Sequence, residues 1–147
     1  MCRRSSISWL LASGGGLLLP VPVFAQIADI NDAINKAGRQ RMLSQRIAEN
    51  YLCASWGVQI DTSAAEMAKS SEEFTKAHDM LKNAPETSAS IKSELQLVES
   101  QFAFFEIALK SLKPGSGDVQ AQGNVFTTSE RILQVMDGVT GMYSKLA

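Results

Sequence analysis

Lys36, Arg39, Arg41 and Arg46 place four positive charges within eleven residues, with no acid between them. Asp29 and Asp32 precede the group, and Glu49 follows it. Guanidinium groups at this density are suited to anions, because each presents a planar fork of N–H donors that fits an oxyanion through paired bonds. Three of the four cations are easily placed. At ~100° per residue of helix, Lys36, Arg39 and Arg46 fall within about one quadrant, a solvated basic face, with Asp32 one turn before Lys36 as an ion-pair partner. Arg41 falls elsewhere, in the row of Ile27, Ile34 and Ala48. An unpaired guanidinium buried in an apolar row costs several kcal/mol. Two readings follow: Arg41 is half of an ion pair with an acid from another helix, such as Glu99, Glu106 or Asp137, or a small anion supplies the missing charge.

Two neighbours favour the anion. Met42, Leu43, Ile47, Leu52 and Trp56 do not share one stripe, and a helix that is apolar on most sides is covered on most sides. This helix is therefore expected to contact both its own bundle and a partner molecule. Gly38 precedes Arg41 by about one turn. A helical Gly costs ~1 kcal/mol relative to Ala, and the usual compensation is close approach of a second helix or a ligand.

The elements that must position these residues are four helices. Gly57, the run Asn83-Ala84-Pro85 and the run Lys113 to Asp118 divide the chain. Ser63 and Glu66 have the spacing of a capping box, and Pro85 suits the first turn of a helix. Between these breaks the apolar residues recur at steps of three and four. The first segment reads Ile27, Ile30, Ile34, Ala37, Arg41, Ser44, Ala48. The second reads Met67, Ser71 or Ser70, Phe74, Ala77, Leu81. The third reads Ile91, Leu95, Val98, Phe102, Phe105, Leu109, Leu112, and the fourth Val125, Thr128, Ile132, Val135, Val139, Met142, Leu146. This spacing keeps each set on one helix face. Four such helices with short connections predict an all-α, antiparallel up-down four-helix bundle. Met42, Met67, Met80, Met136 and Met142 read as core fillers, and Cys53 as a buried small hydrophobe.

Composition narrows the function. The chain has 147 residues, one domain's worth, and a net charge of -1, so no basic excess points to nucleic acid. Two Cys and one His leave no zinc site, no haem-attachment motif and no disulfide framework. His78 has no second ligand of the EXXH kind; it reads as an edge residue, with Met136 or Met142 as the partner a haem would need. No phosphate loop and no nucleophile–His–acid order is present, and Glu72-Glu73 reads as a solvated face, so no enzyme and no cofactor is expected. The first 25 residues have the three-part pattern of a cleaved signal peptide: Arg3-Arg4, an apolar run from Ile7 to Leu19, and Val23-Phe24-Ala25 before Gln26. The run of ~13 residues is short of the ~20 that span a bilayer. The mature chain, 26–147, would be soluble and periplasmic with a net charge of −3, since Arg3 and Arg4 are lost.

The stretch Ile34-Asn35-Lys36-Ala37-Gly38-Arg39-Gln40-Arg41-Met42-Leu43-Ser44-Gln45-Arg46-Ile47 resembles the opening motif of the PilJ-like type IV pilus methyl-accepting chemotaxis transducer N-terminal family. It is also similar to the P-box of nitrate/nitrite sensor kinases. The resemblance implies a periplasmic four-helix sensor bundle that forms a homodimer through its first helix. It implies that Arg41 binds nitrate together with its dimer mate, and that Lys36, Gly38 and Arg46 are motif positions nearby. Members of both families continue through a membrane helix into signalling modules, whereas this chain ends at Ala147, so a soluble binding or partner role is expected in place of signal relay, with a membrane sensor as a candidate partner. The resulting expectation is a sensor-type bundle that binds a small anion such as nitrate or nitrite. The rivals are a structural or partner-binding bundle without a small ligand, and a haem-binding redox bundle. Mature protein recovered from the periplasm should begin at Gln26, as read by intact mass; a membrane fraction retaining Met1 to Ala25 would contradict the cleaved leader.

Overall fold

The computed structural model describes residues 26–147; the expected signal peptide, residues 1–25, lies outside them. Four helices follow in order: α1 (Ile30–Ser55), α2 (Ile60–Asn83), α3 (Ala89–Lys110) and α4 (Val119–Ser144). Three begin at a side-chain cap. Asp29 accepts from the backbone N–H of Asp32, Ser88 from that of Ile91, and Asp118 from that of Ala121. Such caps satisfy orphan donors of the first turn and are worth about 1 kcal/mol each. The expected box at Ser63 and Glu66 does not open α2. That helix starts four residues earlier, after Gln59 in a left-handed conformation, with no side-chain cap. Ser63 is buried inside the helix, and Glu66 is spent on Arg46. Pro85 lies in the turn before α3, not in its first helical turn.

The helices run alternately up and down. Arg46 meets Glu66 while Arg39 meets Glu73, so α1 and α2 are antiparallel. Arg41 meets Asp137 and Ser55 meets Gln122, which makes α1 and α4 antiparallel as well. α1 packs closely against both α2 and α4, and α3 packs on α4. The α2 and α3 backbones barely approach each other; that seam is closed by side chains, chiefly the stacked rings of Phe74 and Phe102 with centroids 4.2 Å apart.

Small residues let α1 sit between two neighbours. Its buried row is Ala33, Ala37, Gln40, Ser44, Ile47, Tyr51 and Ala54, and side chains of one to three heavy atoms at four of the seven positions allow close helix approach. The remaining core is larger: Phe74, Leu81, Ile91, Leu95, Phe105, Ile132, Met136 and Tyr143. Met67 and Met136 fill the core as expected, with Met80 and Met142 partly buried at its edge, but Met42 is 47% exposed. Leu146 follows the end of α4 and is exposed, and Cys53 is half-buried.

The α3–α4 connection also closes the far end of α1. Gly115 donates its N–H to the carbonyl of Ala54 at 3.0 Å and Gly117 to that of Ser55 at 2.9 Å, satisfying carbonyls that the helix end leaves unpaired. Both glycines have positive φ, 71° and 61°, a region other residues enter only at a cost. Phe102→Ala should lose about 3 kcal/mol in urea denaturation, the lower end of the ~3–5 kcal/mol range for buried Phe, because one flank of the ring faces the α2–α3 cleft.

Candidate functional site

The centre of the buried face of α1 is Gln40, not Arg41. The row through residues 33, 37, 40, 44, 47 and 51 is buried, while Ile30 and Ile34, neighbours in the expected row, are only partly so. One residue is 100° of helix rotation, and that turn moves Arg41 from the core to the edge of α1 that faces α4.

Each basic residue of the motif then finds an acid. Lys36 pairs with Asp32 on its own helix at 2.5 Å, as the spacing predicts. Arg39 and Arg46 are not a purely solvated face, since they reach α2: Arg39 contacts Glu73 at 2.6 Å and Arg46 contacts Glu66 at 2.9 Å. Arg41 bonds Asp137 on α4 through Nη1. Among the acids considered for it, Glu99 is instead taken by Lys82 at 2.8 Å. The cations thus flank α1, two bound to α2 and one to α4.

The Arg41 pair is a surface pair. The side chains of Arg41 and Asp137 are 37% and 67% exposed, so the pair is worth ~0–1 kcal/mol and not the ~3–5 kcal/mol of a buried one. Asp137 is the protein group bonded to the guanidinium among the described residues. Gly38 has no second helix against it. A side-chain carbon placed there would meet only Nη2 of Arg41, at an ordinary 3.7 Å. Lys36, Gly38, Arg41 and Arg46 therefore lie along one helix without converging on a single cavity. Of the four, Arg46 lines a recess between α1 and α2 of about 560 Å3, together with Gln45, Glu49, Cys53, Gln59 and Glu66.

His78 departs from its expected place at an edge: it is 5% exposed. Its Nδ1 lies 3.4 Å from Oε1 of Gln40, whose Nε2 donates to the carbonyl of Phe74 at 2.8 Å. Nε2 of His78 has no partner. Burial pushes the imidazole pKa down; Glu99, Asp79 and the Leu95 carbonyl oppose this, and Lys82 reinforces it. No methionine lines the cleft beside His78, so the expected Met partner for a haem is not at hand. The described residues contain no group of three potential metal ligands. Gln40 was the residue missed. The observed face shares Ala37, Ser44 and Ala48 with the expected one, but takes Ala33 and Gln40 in place of Ile30, Ile34 and Arg41.

The profile of the family described as type IV pili methyl-accepting chemotaxis transducer N-term matches residues 23–103, which take in α1, α2 and most of α3. No curated protein and no solved structure matches the chain. The similarity to the nitrate-sensor P-box rests on the motif residues alone. No described helix is long and apolar enough to cross a membrane.

The lowered pKa of His78 carries a stability consequence. Its pKa is near 6.5 in the unfolded chain and lower in the fold, so the unfolded state binds the proton first. Stability is fully present above about pH 6.5 and falls as pH drops from there toward the folded value. Thermal melting between pH 7.5 and 5.5 should show this loss, and His78→Gln should remove it; the carboxylates with lowered pKa, Asp32, Glu73 and Glu99, act only at more acid pH.

Proposed function

Because the chain belongs to the type IV pili methyl-accepting chemotaxis transducer N-terminal family, we propose that it is a periplasmic, sensor-type helical domain that takes a small anion at the Arg41 edge of α1. The observation carrying this reading is the exposed Arg41–Asp137 pair. A guanidinium held by one solvent-exposed carboxylate is available for exchange, since such a pair contributes little. Nitrate or nitrite would take paired N–H bonds from it, and the space left by Gly38 next to Nη2 admits the anion. Lys36 and Arg46 would add a positive field without direct contact, as both are already paired. In a homodimer through α1, two Arg41 groups would share the anion, and Met42 would lie on the covered face. Loss of the Arg41–Asp137 bond on binding is the event that would alter how α1 and α4 sit together.

A partner-binding role without a small ligand is favoured by a different observation. Leu97, Phe104 and Ile107 form an exposed apolar stripe on α3. Phe104 and Ile107 also line a groove of about 580 Å3 that ends at Arg131 on α4. Contiguous exposed apolar residues of this kind mark contact surfaces.

Melting with and without nitrate separates the two readings. A bound ligand at ~100 times its Kd adds ~2.7 kcal/mol. Arg41→Met should leave the melting temperature of the anion-free protein within the equivalent of ~1 kcal/mol and should abolish the rise with nitrate. A parent protein whose melting ignores nitrate and nitrite would rule out the anion and leave the partner surface.

A further inference from the structure

The seam between α3 and α4 holds a groove of about 580 Å3. Two small residues make it possible. Ala108 on α3 and Ala121 on α4, both partly buried, form its floor together with Phe105 and Val125, each 1% exposed. Phe104 and Ile107 rise from α3 as an apolar wall and are 68% and 63% exposed. The α4 wall is polar, with Asn124, Thr127 and Thr128. α3 and α4 are antiparallel neighbours joined by a short connection, so Ser111 and Ala121 lie at the end near that connection, and Gln101 and Arg131 lie at the other. Arg131 is the charged residue among those lining the groove.

That charge has no counterpart within the chain. Arg131 forms no ion pair among the described residues. Its neighbours one helix turn away are Thr127, Thr128, Gln134 and Val135. None is acidic, so α4 offers no partner at the spacing where helical ion pairs form. No acid lines the groove either, although the described residues are net acidic. The complementary charge is therefore an anion from outside, and a guanidinium holds a carboxylate through two parallel N–H bonds.

Shape specifies the rest of the ligand. From Ala121 to Arg131 the helix rises about 15 Å, the scale of an extended acyl chain. A helix is ~10–12 Å across, so 15 Å of one would fill about twice the groove. A partner helix does not seat in it. The volume does fall within the ~300–1,000 Å3 of small-molecule sites. Leu97 stands outside the groove and belongs to the protein-contact reading above.

We propose that the α3–α4 groove is a binding site for a medium-chain aliphatic carboxylate, with its chain along Phe104 and Ile107 and its carboxylate on Arg131. Gln101 and Thr128 sit at the carboxylate end with an amide and a hydroxyl to donate. The Arg41 edge takes no part, so the proposal does not rest on the nitrate reading.

The test is an NMR titration of the amide signals with octanoate as the probe, and with 1-octanol and acetate as controls. Octanoate should shift the signals of Ala108, Ala121 and Thr128 and the Nε–H of Arg131 saturably. 1-Octanol, which keeps the chain and lacks the charge, should bind the same amides about tenfold more weakly. Acetate, which keeps the charge and lacks the chain, should leave them unmoved. Arg131→Gln should bring octanoate down to the level of 1-octanol, and Phe104→Ala, at an exposed position, should weaken both about fivefold. Arg41→Met should change neither, which separates this site from the nitrate response. No shift with octanoate, equal binding of octanoate and 1-octanol, an octanoate affinity unmoved by Arg131→Gln, or shifts confined to another part of the bundle would each overturn the proposal.

Discussion

Gln40 has no solvent to turn to. Its amide lies at the middle of the long central helix with 0% exposure, and a buried amide is tolerated only when its polar atoms find partners. The Phe74 carbonyl and the His78 ring are those partners, and both belong to α2. The requirement therefore fixes how α1 is rotated and how far α2 is shifted along it. With Gln40 facing inward, Arg39 must lie on the side of α2 and Arg41 on the side of α4, because adjacent residues are 100° apart. The ion pairs of the two arginines are consequences of this rotation rather than its cause, since surface pairs contribute too little to impose it.

The same rotation explains why the motif is so basic in a chain of net negative charge. α1 has two neighbours, and each presents acids along its near edge: Glu66 and Glu73 on α2, Asp137 on α4. A run of cations at successive separations of three, two and five residues reaches both edges of one helix. The pairs that result differ in exposure. Lys36 and Asp32 are about one-quarter exposed and sit within one helix turn; Arg41 is less exposed than Arg39 or Arg46, but its partner Asp137 is the most exposed acid of the three cross-helix pairs. That difference is why the candidate ligand position falls on Arg41 and not on its equally charged neighbours.

His78 shows what a polar core costs. Its neighbour Gln40 faces Nδ1, and the Nε2 atom is buried without a well-formed hydrogen bond. Such an arrangement costs stability, which a sequence selected for packing alone would avoid by placing Leu or Phe there. The adjoining seam is the loosest of the contacts between neighbouring helices among the described residues. Polarity without a partner and looseness of packing thus coincide at one location.

The sequence alone determined the number of helices, their order and the positions of most core residues on α3 and α4. Those segments carry large apolar residues at regular spacing, so burial has only one solution: Val98, Phe102 and Phe105, and Ile132 and Val139, are inside as their spacing requires. It also determined that a basic cluster lies on α1, and the motif there pointed to the family. What only the tertiary structure decided is which side of α1 faces in. Ile27, Ala37, Ser44 and Ala48 of the expected row are buried, but the face is centred on Ala33, Gln40 and Ile47 rather than on Ile30, Ile34 and Arg41. A helix that must fit between two neighbours buries the row that lets them approach, and hydropathy carries no information about that space. The partners of Arg39, Arg41 and Arg46 and the burial of His78 all follow from that choice, because each depends on residues of another helix that meet only once the bundle has closed.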